Sequence, residues 1–343
     1  MSVNKKIIET EATLPQTAGF NVVTWTGNGG TQSITGVGFQ PDFVWIKVRS
    51  VAGYSHVVFD STRGATKRIY PDTSAAENSN GKLSSFDTDG FTFNGGGSSN
   101  VNGLDMVAWC WKANGGTTSS NTDGSITSTV QANTAAGFSI VKYTGTGAQG
   151  TIGHGLSAAP AFIISKRLDS SNNWSVYHKD LGLSHSTYPN WMYLNSNSTR
   201  QISGSSANHP YYQAPSSTLL YQNTGTSELT NVSGGEYISY CFAGIDSFSK
   251  FGTYAGNGTS QSINIGFQPD LLILRKYDDN QDWMIWDSVR DGNPKTLRLE
   301  ANNGDAEVSG TTNINFISTG FEFTSGFYND SGKNSIYMAF KIN

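Results

Sequence analysis

The pentapeptide Gly-Phe-Gln-Pro-Asp occurs twice in this 343-residue chain, at Gly38–Asp42 and Gly266–Asp270, and each copy runs into an apolar stretch ending in a basic residue. A weaker third copy lies between them, where Leu156-Ser157-Ala158-Ala159-Pro160 precedes Phe162-Ile163-Ile164-Ser165-Lys166. Aligned on Pro41, Pro160 and Pro269, the copies are 119 and 109 residues apart. Solenoid units repeat every 20 to 50 residues or so, so steps of this length imply whole domains. Triplicated β domains are commoner in surface and assembly proteins than in single-site enzymes.

Other residues recur around that anchor. Upstream, Phe20-Asn21-Val22-Val23-Thr24-Trp25-Thr26-Gly27 corresponds to Phe138-Ser139-Ile140-Val141-Lys142-Tyr143-Thr144-Gly145 and to the stretch ending Thr253-Tyr254-Ala255-Gly256. Downstream, Phe59-Asp60-Ser61-Thr62-Arg63 returns as Trp286-Asp287-Ser288-Val289-Arg290. The closing strand reads Ala108-Trp109-Cys110-Trp111, then Ser239-Tyr240-Cys241-Phe242, then Met338-Ala339-Phe340. These matches divide the chain into an N-terminal arm (1–16), a first repeat (17–115), a polar linker (116–134), a divergent and expanded second repeat (135–246) and a third (247–343).

The predicted fold class is all-β: three tandem β-sandwich domains of jelly-roll or lectin-like type, arising from an internal repeat. Gly and Asn mark turns, and aromatic and β-branched residues mark strands. No long stretch carries the three-and-four spacing of an amphipathic helix with caps. Phe43-Val44-Trp45-Ile46-Lys47 and Leu271-Leu272-Ile273-Leu274-Arg275 are apolar on both faces, which predicts central strands covered on two sides. Phe91-Thr92-Phe93 alternates and suits a sheet with one wet face.

Charge and cysteines exclude several classes. Lys plus Arg number 22 against 26 Asp plus Glu, with no basic stripe, so a nucleic-acid partner is not expected. No apolar run is long enough to span a bilayer, and the N-terminal residues lack the apolar core of a signal peptide, which predicts cytoplasmic synthesis without general export. Cys110 and Cys241 hold matching places in separate units, so buried thiols are expected in place of a disulfide.

The succession of Thr-Gly-Asn-Gly at 26–29, Gly-Phe-Gln-Pro-Asp-Phe-Val-Trp-Ile-Lys at 38–47, Phe-Asp-Ser-Thr-Arg-Gly at 59–64, Ser85-Phe86-Asp87-Thr88-Asp89-Gly90-Phe91 and Val107-Ala108-Trp109-Cys110-Trp111-Lys112 resembles a β domain of virion proteins from tailed bacteriophages, notably phages of marine bacteria and cyanobacteria. The resemblance covers the first unit throughout, the third at its start and end, and the second at its first and closing strands. It implies a structural protein of the virion on the tail, a fibre or the capsid surface, assembled in the host cytoplasm, that is not an enzyme. It further implies other virion structural proteins as partners and a homo-oligomer, commonly a trimer, although three units in one chain can also mimic a threefold arrangement. It transfers no catalytic residues and no cofactor.

Asp60 with Arg63, echoed by Asp287 with Arg290, reads as a turn held by a local ion pair more simply than as an acid and a cation over a substrate. Asp87-Thr88-Asp89-Gly90 begins like a calcium loop but runs into a strand without the downstream Glu, so a hairpin turn is expected. The glycine-rich stretches precede no helix and lack a phosphate cradle. Of the five histidines, four lie in the middle unit, and His178 and His185 have neither cysteines nor a His-Glu-x-x-His pattern beside them, so no metal site is expected. The stretch Trp174–Tyr221 carries Tyr177, Tyr188, Trp191, Tyr193, Tyr211 and Tyr212 among Ser, Asn and Thr. Trp174, Trp191, Tyr211 and Tyr212 are the candidate glycan-binding residues, for a host surface glycan, against the alternative that these rings pack a core or a subunit contact. The arm is a solvated tail by default, or a strand, Lys6-Ile7-Ile8-Glu9-Thr10, added to a neighbour.

Overall fold

The computed structural model describes residues 19–184, 187–202, 209–224, 228–310, 314–326 and 328–342. Among them the only helical element is one 3-10 turn at Gly97–Ser99, and everything else regular is antiparallel sheet. The proposed arm and His185 lie outside the described residues.

Residues 20–111, 138–242 and 249–340 share one strand order. In the first segment β1 (Phe20–Thr26), β7 (Asp105–Trp111), β3 (Phe43–Val48) and β4 (Val57–Asp60) lie side by side in that order. They face a smaller sheet of β2 (Thr31–Ile34), β6 (Gly90–Asn94) and β5 (Leu83–Asp87). The last segment repeats both sheets. Its larger one runs β19 (Ser249–Ala255), β26 (Asn334–Phe340), β21 (Leu271–Lys276), β22 (Met284–Asp287), β23 (Leu299–Glu300), and its smaller one β20 (Gln261–Asn264), β25 (Gly320–Phe323), β24 (Ile314–Ile317).

The middle segment keeps the order β10 (Phe138–Thr144), β18 (Glu236–Phe242), β12 (Phe162–Arg167), β13 (Ser175–His178) and extends it at both edges. Beyond β13 lies β16 (Trp191–Tyr193), and beyond β10 lie β9 (Ser128–Asn133) and β8 (Ser119–Asn121). Among the described residues its second layer is β11 (Gly150–Gly153) with β17 (Leu219–Gln222), and a small hairpin pairs β14 (Leu183–Ser184) with β15 (Tyr188–Pro189). The stretch expected to be a polar linker, 116–134, therefore contains sheet. Its Ser/Thr-rich composition conceals the inward Ser128 and Val130, and β9 pairs with β10 over six residues.

Every residue of β3 and β21 is buried, as their two-sided apolar pattern requires. The two faces enter different cores. Val44 and Ile46 join Phe91 and Phe93 between the sheets of the first segment, and equivalent interiors fill the middle and last segments. Phe43 and Trp45, on the other face, join a core shared by all three segments. At its centre the closing strands bring Trp111, Phe242 and Phe340 together, with ring centroids 5.9 Å (Trp111 to Phe242), 5.5 Å (Trp111 to Phe340) and 5.9 Å (Phe242 to Phe340) apart. Each such ring removes about 150–250 Å² from water, which at about 25 cal/mol/Å² contributes roughly 4–6 kcal/mol of transfer free energy before entropy is counted.

Three buried asparagines hold the turn after each first strand. Asn100 donates through Nδ2 to the Gly30 carbonyl (3.0 Å), Asn231 to the Ala148 carbonyl (2.5 Å) and Asn329 to the Thr259 carbonyl (2.6 Å). The turn glycines beside them have no room to change: a Cβ on Gly27, Gly145 or Gly256 would sit 2.2, 2.3 or 2.3 Å from the carbonyl oxygen of Val101, Val232 or Asp330. Asn329→Leu is expected to leave the turn's backbone groups unpaired and to cost about 1–3 kcal/mol, read as a lowered urea midpoint. An unchanged midpoint would show that water replaces the amide without loss.

Candidate functional site

The titratable groups that stood out in the sequence lie at the seams between segments. At the end of β4, Asp60 accepts from the backbone N–H (2.8 Å) and Nε (2.5 Å) of Arg63, while Arg63 also reaches Glu77 (3.1 Å). Tyr240, from the closing strand of the middle segment, donates its hydroxyl to the same Asp60 carboxylate at 2.6 Å. At the end of β22 the arrangement recurs. Arg290 donates to Asp287 through its backbone N–H (2.9 Å) and Nε (2.6 Å) and reaches Glu307 (2.6 Å), and Trp109 of the first segment donates its indole N–H to Asp287 at 3.0 Å. Burial alone would lower the pKa of either arginine, but the carboxylates around them raise both above the ordinary guanidinium value.

The third seam is built differently at every position. His178 ends β13 where Asp60 and Asp287 end their strands, Leu181 stands in place of the arginine, and Met338 stands where Tyr240 and Trp109 donate. His178 Nδ1 accepts the Asp180 N–H (3.1 Å), which places the proton on Nε2, facing the Tyr337 carbonyl at 3.3 Å. Where the acid is absent, the arginine and the donor that would lie unpaired without it are absent too, as the cost of a buried guanidinium without its carboxylate requires.

A second set of contacts closes the same circuit. His56, Trp174 and Trp283 each precede the fourth strand of their sheet. His56 Nε2 lies 3.0 Å from the Glu300 carbonyl, and the indole N–H groups of Trp174 and Trp283 donate to the carbonyls of Tyr70 and Tyr193, both at 2.9 Å. Lys47, Lys166 and Arg275, the basic residues that end the apolar stretches, donate to carbonyls of Gly304 (3.4 Å), Ser74 (3.2 Å) and Ser198 (2.6 Å). In both sets the first segment reaches the last, the middle reaches the first, and the last reaches the middle. Burial lowers the Lys47 and Lys166 ammonium pKa to about 8 and that of Arg275 to about 10.

These histidines give the fold an acid limit. Burial lowers His178 to about 4, against the opposing pull of Asp180, and burial with Lys47 nearby holds His56 well below the usual imidazole value. His56 Nδ1 accepts the Trp45 indole N–H at 2.9 Å, so protonating either Nδ1 breaks a hydrogen bond inside a seam. A folded pKa below the unfolded one means that the unfolded chain binds more protons, so the contribution of these histidines to stability is complete above about pH 6.5 and falls as pH drops towards 4. The urea midpoint is expected to be lower at pH 5 than at pH 7.5, with a smaller drop in His178→Gln. Equal drops in both proteins would assign the acid sensitivity elsewhere.

The aromatic candidates for glycan binding do not form a platform. Trp174 is 1% exposed and belongs to the shared core, and Trp191 and Tyr211, at 5% and 2%, fill the interior of the middle sandwich. Only Tyr212 is half-buried, its ring edge-on to Tyr221 at 5.5 Å. Aromatic enrichment among polar residues is the same whether rings face water or a second sheet, and here they face the sheet. Tyr211 donates to or accepts from Ser175 Oγ at 2.9 Å. Gln222 takes the place that Phe93 and Phe323 hold in the other interiors, and both of its buried amide atoms lack a partner among the described residues.

The remaining sequence motifs are structural. Thr88 and Asp89 form the tip of the β5–β6 hairpin, and Asp89 accepts the amides of Gly36 (3.0 Å) and Gly38 (2.6 Å). Asp42 of the repeated pentapeptide accepts from Ser61 Oγ (2.6 Å) and from the amides of Ala113 (2.7 Å) and Gly116 (2.7 Å), and Asp270 from Ser288 Oγ (2.6 Å) and the Ile342 amide (2.8 Å). Cys110 and Cys241 are buried free thiols in different interiors. Among the described residues no three His, Cys, Asp or Glu side chains are grouped to hold a metal ion. A groove of about 300 Å³ opens beside Lys67, Glu77, Lys142, Asp169 and Glu236, where Lys67 pairs with Glu77 at 3.0 Å and Lys142 with Glu236 at 3.4 Å.

No curated protein and no solved structure matches the chain. A family model matches residues 16–343, across all three segments as one unit, and the chain belongs to that family, described as a domain of unknown function, DUF7483.

Proposed function

We propose that residues 17–115, 135–246 and 247–343 are three domains of an internal repeat, closed into a ring, and that the protein is a structural, non-catalytic component of a tailed-phage particle. The observation that carries the reading is the cyclic closure of the seams. Each segment contacts the next through equivalent positions, and head-to-tail contacts of this kind end only when the rotation closes. The chain then supplies within itself the threefold arrangement expected of a trimeric appendage. The buried acid and base pairs that might have served catalysis, Asp60 with Arg63 and Asp287 with Arg290, are 0% to 1% exposed in their side chains and hold those seams. The phage assignment rests on the resemblance of the first segment's motifs to virion β domains.

The test is electron cryomicroscopy of purified particles with the chain traced into density. The reading expects it on the exterior of the capsid or tail, set against other structural proteins. A chain missing from purified particles but present in the infected cell would refute it.

A further inference from the structure

Each seam carries the same pair of backbone bonds two residues past its buried basic residue, Lys47, Lys166 or Arg275. The amides of Arg49, Leu168 and Tyr277 donate to the carbonyls of Asp105, Glu236 and Asn334 at 2.9, 2.7 and 3.1 Å. Their own carbonyls accept the amides of Glu307, Glu77 and Arg200, from the segment across the seam, at 2.8, 2.8 and 2.7 Å. These bonds make the three sets equivalent, and a guanidinium closes two of them. Arg49 Nη1 meets Oε1 of Glu307 at 3.0 Å, and its Nη2 lies 4.0 Å from Asp105. In the set of Tyr277 the guanidinium comes from the other side, as Arg200 lies over the Tyr277 ring at 4.9 Å.

The third set has Leu168 in the place of Arg49, and Leu168 packs into the shared core. The groove of about 300 Å³ opens here, with Glu77 and Glu236 on its walls. Glu77 keeps the structural role of its counterpart: its Oε2 takes Arg63 at 3.1 Å, as Oε2 of Glu307 takes Arg290 at 2.6 Å. Its Oε1, the atom that in Glu307 takes Arg49, holds Lys67 at 3.0 Å, and Glu236 holds Lys142 at 3.4 Å. Those lysine side chains are 40% and 34% exposed, so both pairs are screened and weak, and both ammonium groups can leave the groove on flexible stems. The third carboxylate on the wall, Asp169, is occupied by Arg167 at 2.9 Å. A second hollow of about 200 Å³, lined by Ser120, Thr127 and Thr129, shares Lys142 and Glu236 with the groove and leaves room for the remainder of a molecule that carries a cation.

We propose that this groove binds an alkylguanidinium cation, which bridges Glu77 and Glu236 as Arg49 bridges Glu307 and Asp105. A planar fork of donors reaches two carboxylates at once, whereas a lysine ammonium acts as a point charge. The cation is either a free molecule or the side chain of an arginine on another protein, and the chemistry that recognises it is the same. The site exists at one seam of three because one residue differs there. The inference goes beyond the particle reading and does not depend on it.

The test is ligand-observed NMR on the full chain at low ionic strength, where exposed charges are least screened. Methylguanidinium is the probe for a free cation, N-acetyl-arginine amide for a side chain, and N-acetyl-lysine amide for an ammonium in place of the guanidinium. Saturable binding of a guanidinium probe is expected, with a Kd on the order of 1 mM and tighter than that of the lysine probe. The tighter of the two guanidinium probes identifies the source. Leu168→Arg supplies the chain's own guanidinium, as Arg49 does, and should abolish binding with an unchanged far-UV circular dichroism spectrum. Glu236→Gln is the second variant, at a side chain 41% exposed that the core does not need, and should weaken binding about fivefold. Lys142→Met removes a resident ammonium and should tighten binding, the opposite of its effect on a site for an anion. No saturable binding of either guanidinium probe, equal binding of the lysine probe, unchanged affinity in both Leu168→Arg and Glu236→Gln, or weaker binding in Lys142→Met would each overturn the proposal.

Discussion

Asp287→Ala is expected to destabilise the protein by about 3–5 kcal/mol, the usual cost of removing one partner from a buried ion pair. The substitution strands the Arg290 guanidinium, whose side chain is 0% exposed, and leaves the Trp109 indole N–H without an acceptor. Asp60→Ala should behave alike through Arg63 and Tyr240. The middle segment indicates how the loss can be repaired, because it lacks the acid and with it both partners. A triple variant carrying Asp287→His, Arg290→Leu and Trp109→Met copies the seam of His178, Leu181 and Met338. It should recover much of the stability lost by Asp287→Ala, since no charge is left unpaired. Urea midpoints at pH 7.5 measure both effects. A triple variant less stable than the single one would mean that the three seams are not interchangeable.

Phe242→Ala is expected to cost about 3–5 kcal/mol, the range for deleting a buried phenyl ring. Phe242 lies 4.9 Å from Phe138, 5.9 Å from Trp111 and 5.9 Å from Phe340, so its removal opens a cavity bordered by all three segments. The effect should therefore lower the unfolding midpoint of the whole chain without separating a second transition. Truncating Phe93 instead empties an interior that belongs to the first segment alone. Phe93→Ala is thus the control for a local loss of packing. A new early transition in Phe242→Ala that is confined to the middle segment would place the shared core outside the cooperative unit.

Much of the fold was legible in the sequence because strand pairing leaves a local signature. The two-sided apolar stretches 43–47 and 271–275 became buried central strands, and the Asp-x-x-Arg pattern became the predicted ion-paired turn. The Asn100, Asn231 and Asn329 plugs were missed, although each is followed three residues later by a glycine of positive φ, at Gly103, Gly234 and Gly332, so a turn signal was present. What local pattern does not carry is the partner of a buried donor. Tyr240 meets Asp60 across 180 residues and Trp109 meets Asp287 across 178, and nothing near any of the four announces the other. Three of the four candidate glycan residues, Trp174, Trp191 and Tyr211, lie buried for a related reason: composition identifies rings but not which side of a sheet they occupy. The stretch 116–134 shows the converse, a polar composition that nevertheless pairs as an edge, because the backbone supplies the bonds.

The most direct test of the account is equilibrium unfolding of the full chain in urea, followed by hydrogen exchange resolved to peptides from each segment. A ring closed around one shared core predicts a single transition, with peptides covering Trp111, Phe242 and Phe340 losing protection at the same urea concentration. Three separate transitions, or one segment keeping protection after the others have lost theirs, would contradict it and leave three independent sandwiches on a string.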